Sequence, residues 1–313
     1  MPLLGFAFLA WVLSRLDLGA IGHACAHLPP GAIALCALFF SLNLVVKVLR
    51  WQRMLVAQGY ALPLPIAAAA FLNGQFYGQV TLGRVGELYR AEALVERGVA
   101  LGEALSSSIY DRLLDVALVT FLAAALGGLV LGRPDVAPWA LAVVALGAVG
   151  VWLLVGKAPA AVLDATGSPA AATVGTRPWA LMLTFARGLR EGVRVLLRPA
   201  IVVEMSAWTL VAWVGYFAAP IALARGLDID ASITLLVAAS SLAALSALLP
   251  VTVSGLGARE VIFMQALSIE GVAPERAVAL SLVHLAIMTA CVLVLGLCGM
   301  LWRRAQRAHT SDG

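Results

Sequence analysis

Long apolar runs constrain this chain more than any other feature of its sequence. Of its 313 residues, 62% are hydrophobic and only 12% are charged, and the mean hydropathy is +0.97. About 18 consecutive apolar residues are enough for a helix that crosses a bilayer, and several runs reach that length. The sequence therefore predicts an all-α, polytopic membrane protein with about seven or eight transmembrane helices. The predicted spans lie near residues 3–15, 30–50, 104–131, 137–156, 200–224, 230–249 and 277–301.

Two further apolar stretches, residues 63–82 and 257–269, are short or interrupted by glycine. Non-helical backbone at membrane depth is tolerated only where it is buried in protein or faces water, because lipid offers no hydrogen-bond partners. We therefore interpret both stretches as broken or re-entrant helices. Such segments often form the working part of a membrane protein.

The basic residues outside the spans predict the orientation of the chain. By the positive-inside rule, three basic clusters belong in the cytoplasm. This places the C-terminus inside a bacterial-type cytoplasmic (inner) membrane, provided that one broken segment re-enters without crossing. We expect one transmembrane domain over residues 1–302 and a short basic cytoplasmic tail over 303–313. The three clusters are Lys47, Arg50 and Arg53, then Arg177 to Arg198, and finally Arg303, Arg304 and Arg307.

Other classes of site find little support in the sequence. The net charge is +4, and with only short loops available the charges must lie at membrane interfaces or inside a protein-lined cavity, so we expect no nucleic-acid partner. The four cysteines stand singly in or beside apolar segments, which indicates packing. His23 and His27 are spaced like a metal pair but have no third ligand nearby, so we expect neither a metal nor a cofactor. His284 lies alone in the last span, which favours a packing hydrogen bond over a proton relay.

The sequence also contains an internal repeat. Shifting the chain by 173 residues aligns 79–109 with 252–282 without a gap, and 9 of 31 positions are identical. The aligned identities include Glu87 with Glu260 and the block Gly-Val-Ala at 98–100 and 271–273. Many transporters consist of such repeats, with the substrate site where corresponding broken helices meet. The repeat therefore directs attention to "LGRVGE" and "GLGARE".

Eight charged residues in and near these motifs require partners. Each uncompensated charge at mid-membrane costs about 2.5–3.5 kcal/mol, so these side chains must face one another or a wet cavity. Two arrangements satisfy this requirement: a structural ion-pair network, or a cavity whose arginines bind the phosphate of a lipid headgroup. The adjacent Gly83, Gly86, Gly255 and Gly257 free backbone N–H groups that could also hold an anion. The eight residues are Arg84, Glu87, Arg90, Asp111, Arg112, Asp115, Arg259 and Glu260.

A second basic feature lies in the middle of the chain. Arg187, Arg190, Arg194 and Arg198 are three or four residues apart and therefore share one face of a helix. One interpretation is positive-inside topology alone. The other is an interfacial helix that contacts anionic lipid.

The order of three separated motifs resembles a known family. The segments "NGQFYGQVTLGRVGELYR", "SSIYDRLLD" and "LLPVTVSGLGAREVIF" are similar to the lysylphosphatidylglycerol synthase transmembrane-region family, over essentially the whole chain. The resemblance implies an all-helical flippase-like domain with broken helices and a lipid-accessible cavity. The matched positions are Gly83, Arg84, Gly86 and Glu87, then Asp111, Arg112 and Asp115, and finally Gly255, Gly257, Arg259 and Glu260.

The leading functional hypothesis is a lipid translocator in which Arg84, Arg112 and Arg259 hold an anionic headgroup. We expect no enzyme activity, because the soluble aminoacyltransferase domain of bifunctional relatives does not follow the membrane region. Two alternatives remain open: a membrane-embedded transferase acting on a lipid, and a non-catalytic accessory subunit of a lipid or envelope pathway. A transferase would use Glu87, Asp111 or Asp115 as its general base. A homo-oligomer is compatible with the sequence.

Overall fold

The computed structural model describes residues 3–81, 84–157, 178–248 and 254–311, and over these residues the fold is entirely helical, as predicted. A short 3-10 helix, Val85–Ala91, lies between α4 and α5. The α-helices are α1 Leu3–Leu13, α2 Leu18–Ala26, α3 Pro30–Ala57, α4 Leu64–Val80, α5 Glu92–Val95, α6 Leu101–Val130, α7 Val136–Lys157, α8 Pro178–Leu196, α9 Pro199–Gly226, α10 Ile233–Ser246, α11 Ala258–Ser268 and α12 Pro274–Ser311.

Helix length separates the crossing helices from the rest. Within the described residues, four helices are long and apolar enough to cross a membrane: α3, α6, α9 and the Pro274–Leu301 part of α12. At 1.5 Å per residue, the 28 residues of α3 extend about 42 Å. The 14 residues of α10 reach only about 21 Å, shorter than the roughly 30 Å hydrocarbon core. The short helices must therefore be completed or covered by neighbouring elements.

Proline begins three of the long helices. Pro30, Pro199 and Pro274 each occupy the first helical position, where the missing N–H has no intrahelical partner to lose. Helix α9 packs along α3, and the core of the bundle lies at this contact. The backbone of Gly215 sits against the Phe39 carbonyl, where a larger residue would separate the two helices.

The internal repeat is visible in the backbone. With the same offset of 173 residues, the 3-10 helix and α11 begin at corresponding positions, and so do α6 and α12. Each copy ends its short helix in the same way. Val99 N–H donates to the Leu94 carbonyl, and Val272 N–H donates to the Leu267 carbonyl. The intervening glycines, Gly98 and Gly271, have φ of 82° and 77°, a conformation that favours glycine.

The two copies run in opposite directions relative to α3. In the first, α6 is antiparallel to α3, because Ser107 contacts Trp51 whereas Asp115 contacts Lys47. In the second, α12 is parallel to α3. The start of α12 contacts the C-terminal end of α9, which packs on Ala32 near the start of α3. Further along both helices, Cys291 of α12 lies beside Ser41 of α3. The copies therefore form an inverted repeat, an arrangement common in transporters.

The copies also exchange packing partners. Helix α4 of the first half packs against α12 of the second, while α10 of the second half packs against α6 of the first. The loop before α11 reaches the end of α4, where the Ser254 hydroxyl donates to the carbonyl oxygen of the Gln79 backbone at 3.0 Å. The two broken elements therefore meet inside the bundle.

Candidate functional site

Two basic residues lie inside α3, where the sequence predicted a loop. We expected the second span to end near Lys47 and Arg50 and both residues to belong to a basic loop, but α3 continues to Ala57 and buries both. Asn43, Lys47, Arg50 and Met54 recur at steps of three or four, so they share one helix face. That face is directed at α6 and α9, and these side chains are part of the site.

The buried side chains form a first ion cluster, defined as Lys47, Arg50, Arg90, Asp111 and Asp115. Arg50 bridges the two carboxylates, with 2.6 Å from Nη2 to Asp111 Oδ1 and 2.8 Å from Nη1 to Asp115 Oδ1. Lys47 Nζ lies 2.7 Å from Asp115 Oδ2, and Arg90 Nη1 lies 2.9 Å from Asp111 Oδ2. Three cations therefore share two carboxylates and leave one positive charge in excess.

Neutral donors and acceptors complete this cluster. Trp213 Nε1 donates to Asp115 Oδ1 at 3.0 Å, and Arg50 Nη1 donates to Thr209 Oγ1 at 2.6 Å. The Arg90 guanidinium lies over the Phe71 ring and donates to Ser108 Oγ at 2.9 Å. Pairing of this kind is expected of a buried ionic network, since an unpaired buried charge is far more costly than a paired one. Within the described residues, Arg50 Nε is left without a hydrogen-bond partner.

A cavity arginine pair, Arg84 and Arg112, shares the single carboxylate of Glu87. Arg84 Nε lies 2.9 Å from Glu87 Oε1, and Arg112 Nη1 lies 3.1 Å from Glu87 Oε2. Sequence spacing alone would place Glu87 between Arg84 and Arg90, at steps of three, and Arg112 beside Asp115. Those pairings are wrong for Arg90 and Arg112, because each guanidinium reaches across to a different element.

Glycines of α4 hold the 3-10 helix in place. A Cβ at Gly74 would lie 2.8 Å from the Glu87 carbonyl oxygen, and one at Gly78 would lie 2.6 Å from Glu87 Cγ. Gly86 donates its N–H to Thr81 Oγ1 at 2.8 Å, and a Cβ there would collide with the Tyr77 carbonyl group. The Gly86 N–H is therefore occupied by Thr81, so the prediction that it is free to hold an anion is wrong, and the glycine is required for close approach. Gly83 lies outside the described residues.

Substituting Gly86 by alanine should lower the free energy of unfolding by about 1–3 kcal/mol, because the added methyl group overpacks a backbone contact. Thermal unfolding of the purified protein in detergent measures the change. Gly22→Ala is the matched control, since no heavy atom lies within 4 Å of a Cβ at that exposed position of α2. An equal loss in both variants would show that the contact with Tyr77 is not responsible.

The second copy builds a separate Arg259 cluster, defined as Gly257, Arg259, Glu260, Ser281, His284 and Met288. Glu260 is fully buried and accepts from the Gly257 N–H at 2.6 Å and from the Ser281 hydroxyl at 3.0 Å. Arg259 Nε donates to Ser281 Oγ at 3.2 Å, and Nη2 contacts His284 Nδ1 at 2.5 Å. Gly255 and Gly257 have φ of 81° and 86°, so both glycines bend the backbone before α11.

The cavity arginine pair and part of the first ion cluster line a cavity of about 40 Å³ between the long helices. One water needs roughly 10–15 Å³ of such space, so the cavity holds a few waters. Of the predicted residues, Arg84, Arg112 and Asp115 line it directly, while the Arg259 cluster contributes only Met288. The wall residues that the sequence did not single out as site residues include Asn43, Lys47, Trp213 and Tyr216.

The basic residues of α8 lie apart from the cavity. On α8, Arg187 and Arg190 are half-buried and Arg194 is exposed. Arg198 is exposed as well, but α8 ends at Leu196 and Arg198 caps α9, so the four arginines do not share one helix face as predicted. The helix packs on α6 through glycine, since a Cβ at Gly192 would collide with the Ser106 hydroxyl. The end of α8 is therefore both a packing surface and a source of exposed positive charge.

The chain matches the family model for the lysylphosphatidylglycerol synthase TM region over residues 2–296. It belongs to this family. The match includes every charged residue of the cavity and of both clusters, and it confirms the family expected from the three motifs. No curated protein matches the chain. Membership in this family, together with the crossing helices, makes the protein a multi-pass membrane protein with a lipid-related function.

Proposed function

We propose that this member of the lysylphosphatidylglycerol synthase TM family moves an anionic lipid between leaflets. Lys47, Arg84 and Arg112 contact the headgroup, and the acyl chains remain in the bilayer. The observation that carries the proposal is the excess of positive charge around a cavity at membrane depth. The cavity arginine pair shares one carboxylate, and beside it the three cations of the first ion cluster share two carboxylates. A singly charged anion entering this cavity reduces the excess from two positive charges to one.

The depth of the cavity supports a role in crossing the bilayer. Arg112 lies eleven residues after Leu101 in α6, which places it about 17 Å along the helix axis. Its side chain is 27% exposed and that of Arg84 is 18% exposed, so both retain access to the cavity. Polar groups at this depth are costly unless a substrate or ion uses them.

The inverted repeat supports a mechanism by alternating exposure. A space of about 40 Å³ is too small for a phospholipid headgroup, so this conformation corresponds to a closed state. Two inverted halves can rock so that the same central residues face one leaflet and then the other. The contact between Ser254 and Gln79 joins the two broken elements at the point where such motion must occur.

Charge asymmetry supports an inner-membrane orientation with a cytoplasmic C-terminus. The end of the bundle at the α3 C-terminus exposes Arg53, Arg97, Arg194 and Arg198, and α12 runs towards this end beside Ala69 of α4. The opposite end is mainly acidic: besides Arg133, Arg225 and Arg276 it carries Asp135, Asp228, Asp230, Glu270 and Glu275. By the positive-inside rule, the basic end faces the cytoplasm, where Arg194 and Arg198 contact anionic lipid.

We also infer that the protein is not an enzyme. Within the described residues, the carboxylates of Glu87, Asp111 and Asp115 are paired with cations, and buried Glu260 accepts from Gly257 and Ser281. None remains free to take a proton from a substrate as a general base would. Mass spectrometry of membrane lipids with and without the protein tests this inference, because a transferase would leave a modified lipid.

Arg112→Gln should slow leaflet transfer by about tenfold or more, because hydrogen bonds to charged groups contribute about 1.5–3 kcal/mol and each 1.4 kcal/mol is a factor of ten. The assay is dithionite quenching of NBD-phosphatidylglycerol in liposomes that contain the purified protein. Arg53→Gln is the matched control, since Arg53 pairs with Glu204 at an exposed surface away from the cavity.

Two results would contradict the proposal. If wild-type protein transfers NBD-phosphatidylglycerol no faster than protein-free liposomes, the protein is not a translocator of this lipid. If folded Arg112→Gln and Arg53→Gln proteins transfer it equally fast, the cavity is not the headgroup site. The accessory-subunit alternative predicts the first result together with a co-purifying partner protein.

A further inference from the structure

The two copies of the repeat place a guanidinium on equivalent positions of α6 and α12. Arg90 donates to Ser108 and pairs with Asp111 in the first copy. Arg259 donates to Ser281 and contacts His284 in the second, and the offset of 173 residues relates Ser108 to Ser281 and Asp111 to His284. Arg90 and Arg259 do not occupy equivalent positions of the repeat. What the copies share is the receiving site, meaning the two positions on the long helix that contact the arginine.

The receiving sites differ in charge. Asp111 is an anion that neutralises Arg90 permanently, whereas His284 offers a neutral imidazole nitrogen to Arg259. Within the described residues, no carboxylate lies within 4 Å of the Arg259 guanidinium, and Glu260 reaches it only through the Ser281 hydroxyl. Arg259 is only 3% exposed, so its charge is buried among neutral acceptors. A buried cation in such a setting favours an incoming anion.

The contact with Arg259 also determines the tautomer of His284. Because arginine can only donate, Nδ1 must accept, and in the neutral ring the proton lies on Nε2. His284 Nε2 is buried and has no hydrogen-bond partner within the described part of the chain. A second donor is therefore directed away from Arg259 with its hydrogen-bonding capacity unused.

Two residues separate this cluster from the cavity. Met288 and Tyr216 both line the cavity, and on their other side Met288 Sδ lies 3.8 Å from Arg259 Nη1 while the Tyr216 and His284 rings lie 5.9 Å apart. Methionine is flexible and adapts readily to a changed contact. Movement of Met288 would connect the cavity to Arg259.

We propose that Arg259 and His284 form a second anion site, in which the neutral imidazole occupies the place that the phosphate group of a lipid headgroup takes during transfer. The proposal rests on the translocator function. It adds a second position for the headgroup, after the cavity arginine pair. The imidazole must turn aside to release Arg259, and Met288 lies between the two positions.

His284→Asp tests the site, because it gives the second copy the carboxylate that Asp111 provides in the first copy. A carboxylate at this position pairs permanently with Arg259, so an incoming phosphate must displace a charged partner. We expect transfer of NBD-phosphatidylglycerol to fall by about tenfold or more, with the melting temperature equal to or above that of wild type. His284→Asn keeps a neutral acceptor, and its transfer rate should fall by less than about threefold.

A binding measurement separates this site from the translocator function. Soluble dihexanoyl phosphatidylglycerol should raise the melting temperature of wild type more than that of His284→Asp, and inorganic phosphate at the same concentration should raise it less. Equal stabilisation by both compounds would overturn the lipid assignment. If the lipid stabilises wild type but not His284→Asp, and wild type transfers no lipid, the site is retained and the translocator function is refuted.

Other outcomes decide against the site. Transfer by folded His284→Asp at the wild-type rate would overturn it while leaving the translocator intact. Equal loss in the aspartate and asparagine variants would refute the role of a neutral acceptor. Should His284→Asp fail to fold, Met288→Phe replaces it: the bulky ring should slow transfer while Met288→Leu does not, and equal rates would exclude passage beside Met288.

Discussion

Asp115→Asn should lower the free energy of unfolding by about 3–5 kcal/mol, the usual effect of removing one member of a buried ion pair. Asp115 accepts from three donors, namely Lys47, Arg50 and Trp213. Without its charge, the three cations of the first ion cluster share only Asp111. The amide group of asparagine also directs N–H groups at donors. Thermal and chemical unfolding in detergent measure the loss.

A charge-neutral rescue distinguishes the ion pair from packing. Lys47→Met combined with Asp115→Leu removes one cation and one anion together, so the double variant should be more stable than Asp115→Asn. Glu204→Gln is the surface control, because its pair with Arg53 is exposed and exposed pairs contribute about 0–1 kcal/mol. Equal destabilisation by Asp115→Asn and Glu204→Gln would contradict a buried network.

The internal repeat illustrates what sequence alone can predict. An offset derived from nine identities also aligns the starts of two pairs of helices and two glycine-ended turns. Buried positions agree as well: Leu94 and Leu267 are both buried, as are Ser108 and Ser281. Such agreement is expected because a helix cap and a close packing position each demand particular residues, so the sequence retains their spacing.

The ion pairs could not be predicted from the sequence in the same way. Spacing within one helix suggests partners three or four residues away, yet Arg90 and Arg112 bind carboxylates on other elements. Lys47 and Arg50 were assigned to a loop because a charge ends an apolar run. Their helical spacing, and the buried Trp51 beside them, were the available signals of a continuing helix. His284 lacked neighbours in sequence, and only the repeat offset relates it to Asp111.

The crossed pairing has a mechanical consequence. Glu87 on the 3-10 helix binds Arg112 on α6, and Arg90 on the 3-10 helix binds Asp111 on α6, so two ion pairs connect these elements. The second copy connects α11 to α12 through Arg259, Ser281 and Glu260. Each broken element is therefore fastened to the long helix of its own copy, while packing joins α4 and α10 to the opposite copy. Relative motion of the two halves must therefore take place where α4 packs on α12 and where α10 packs on α6.

Glu260→Gln should lower the free energy of unfolding by about 3 kcal/mol, whereas the same substitution at the equivalent Glu87 should lower it by less than about 1 kcal/mol. Glu260 is fully buried and accepts from Gly257 and Ser281, so an amide nitrogen in place of one oxygen leaves a buried donor unpaired. Around Glu87, Arg84 and Arg112 can turn to cavity water. Unfolding of both variants in detergent makes the comparison.

Lipid transfer should be affected more by Glu87→Gln than by Glu260→Gln, the opposite of their effects on stability. Glu87→Gln frees two cavity arginines, so dihexanoyl phosphatidylglycerol should stabilise this variant more than wild type, and NBD-phosphatidylglycerol transfer should slow because release of the anion becomes harder. In folded Glu260→Gln the cavity arginines keep their carboxylate, so no such gain is expected at the cavity. Equal unfolding energies and equal lipid responses in the two variants would show that the two glutamates play the same role. Because the two glutamates occupy the same repeat position, such a difference can arise only from the surroundings that each copy has built around its carboxylate.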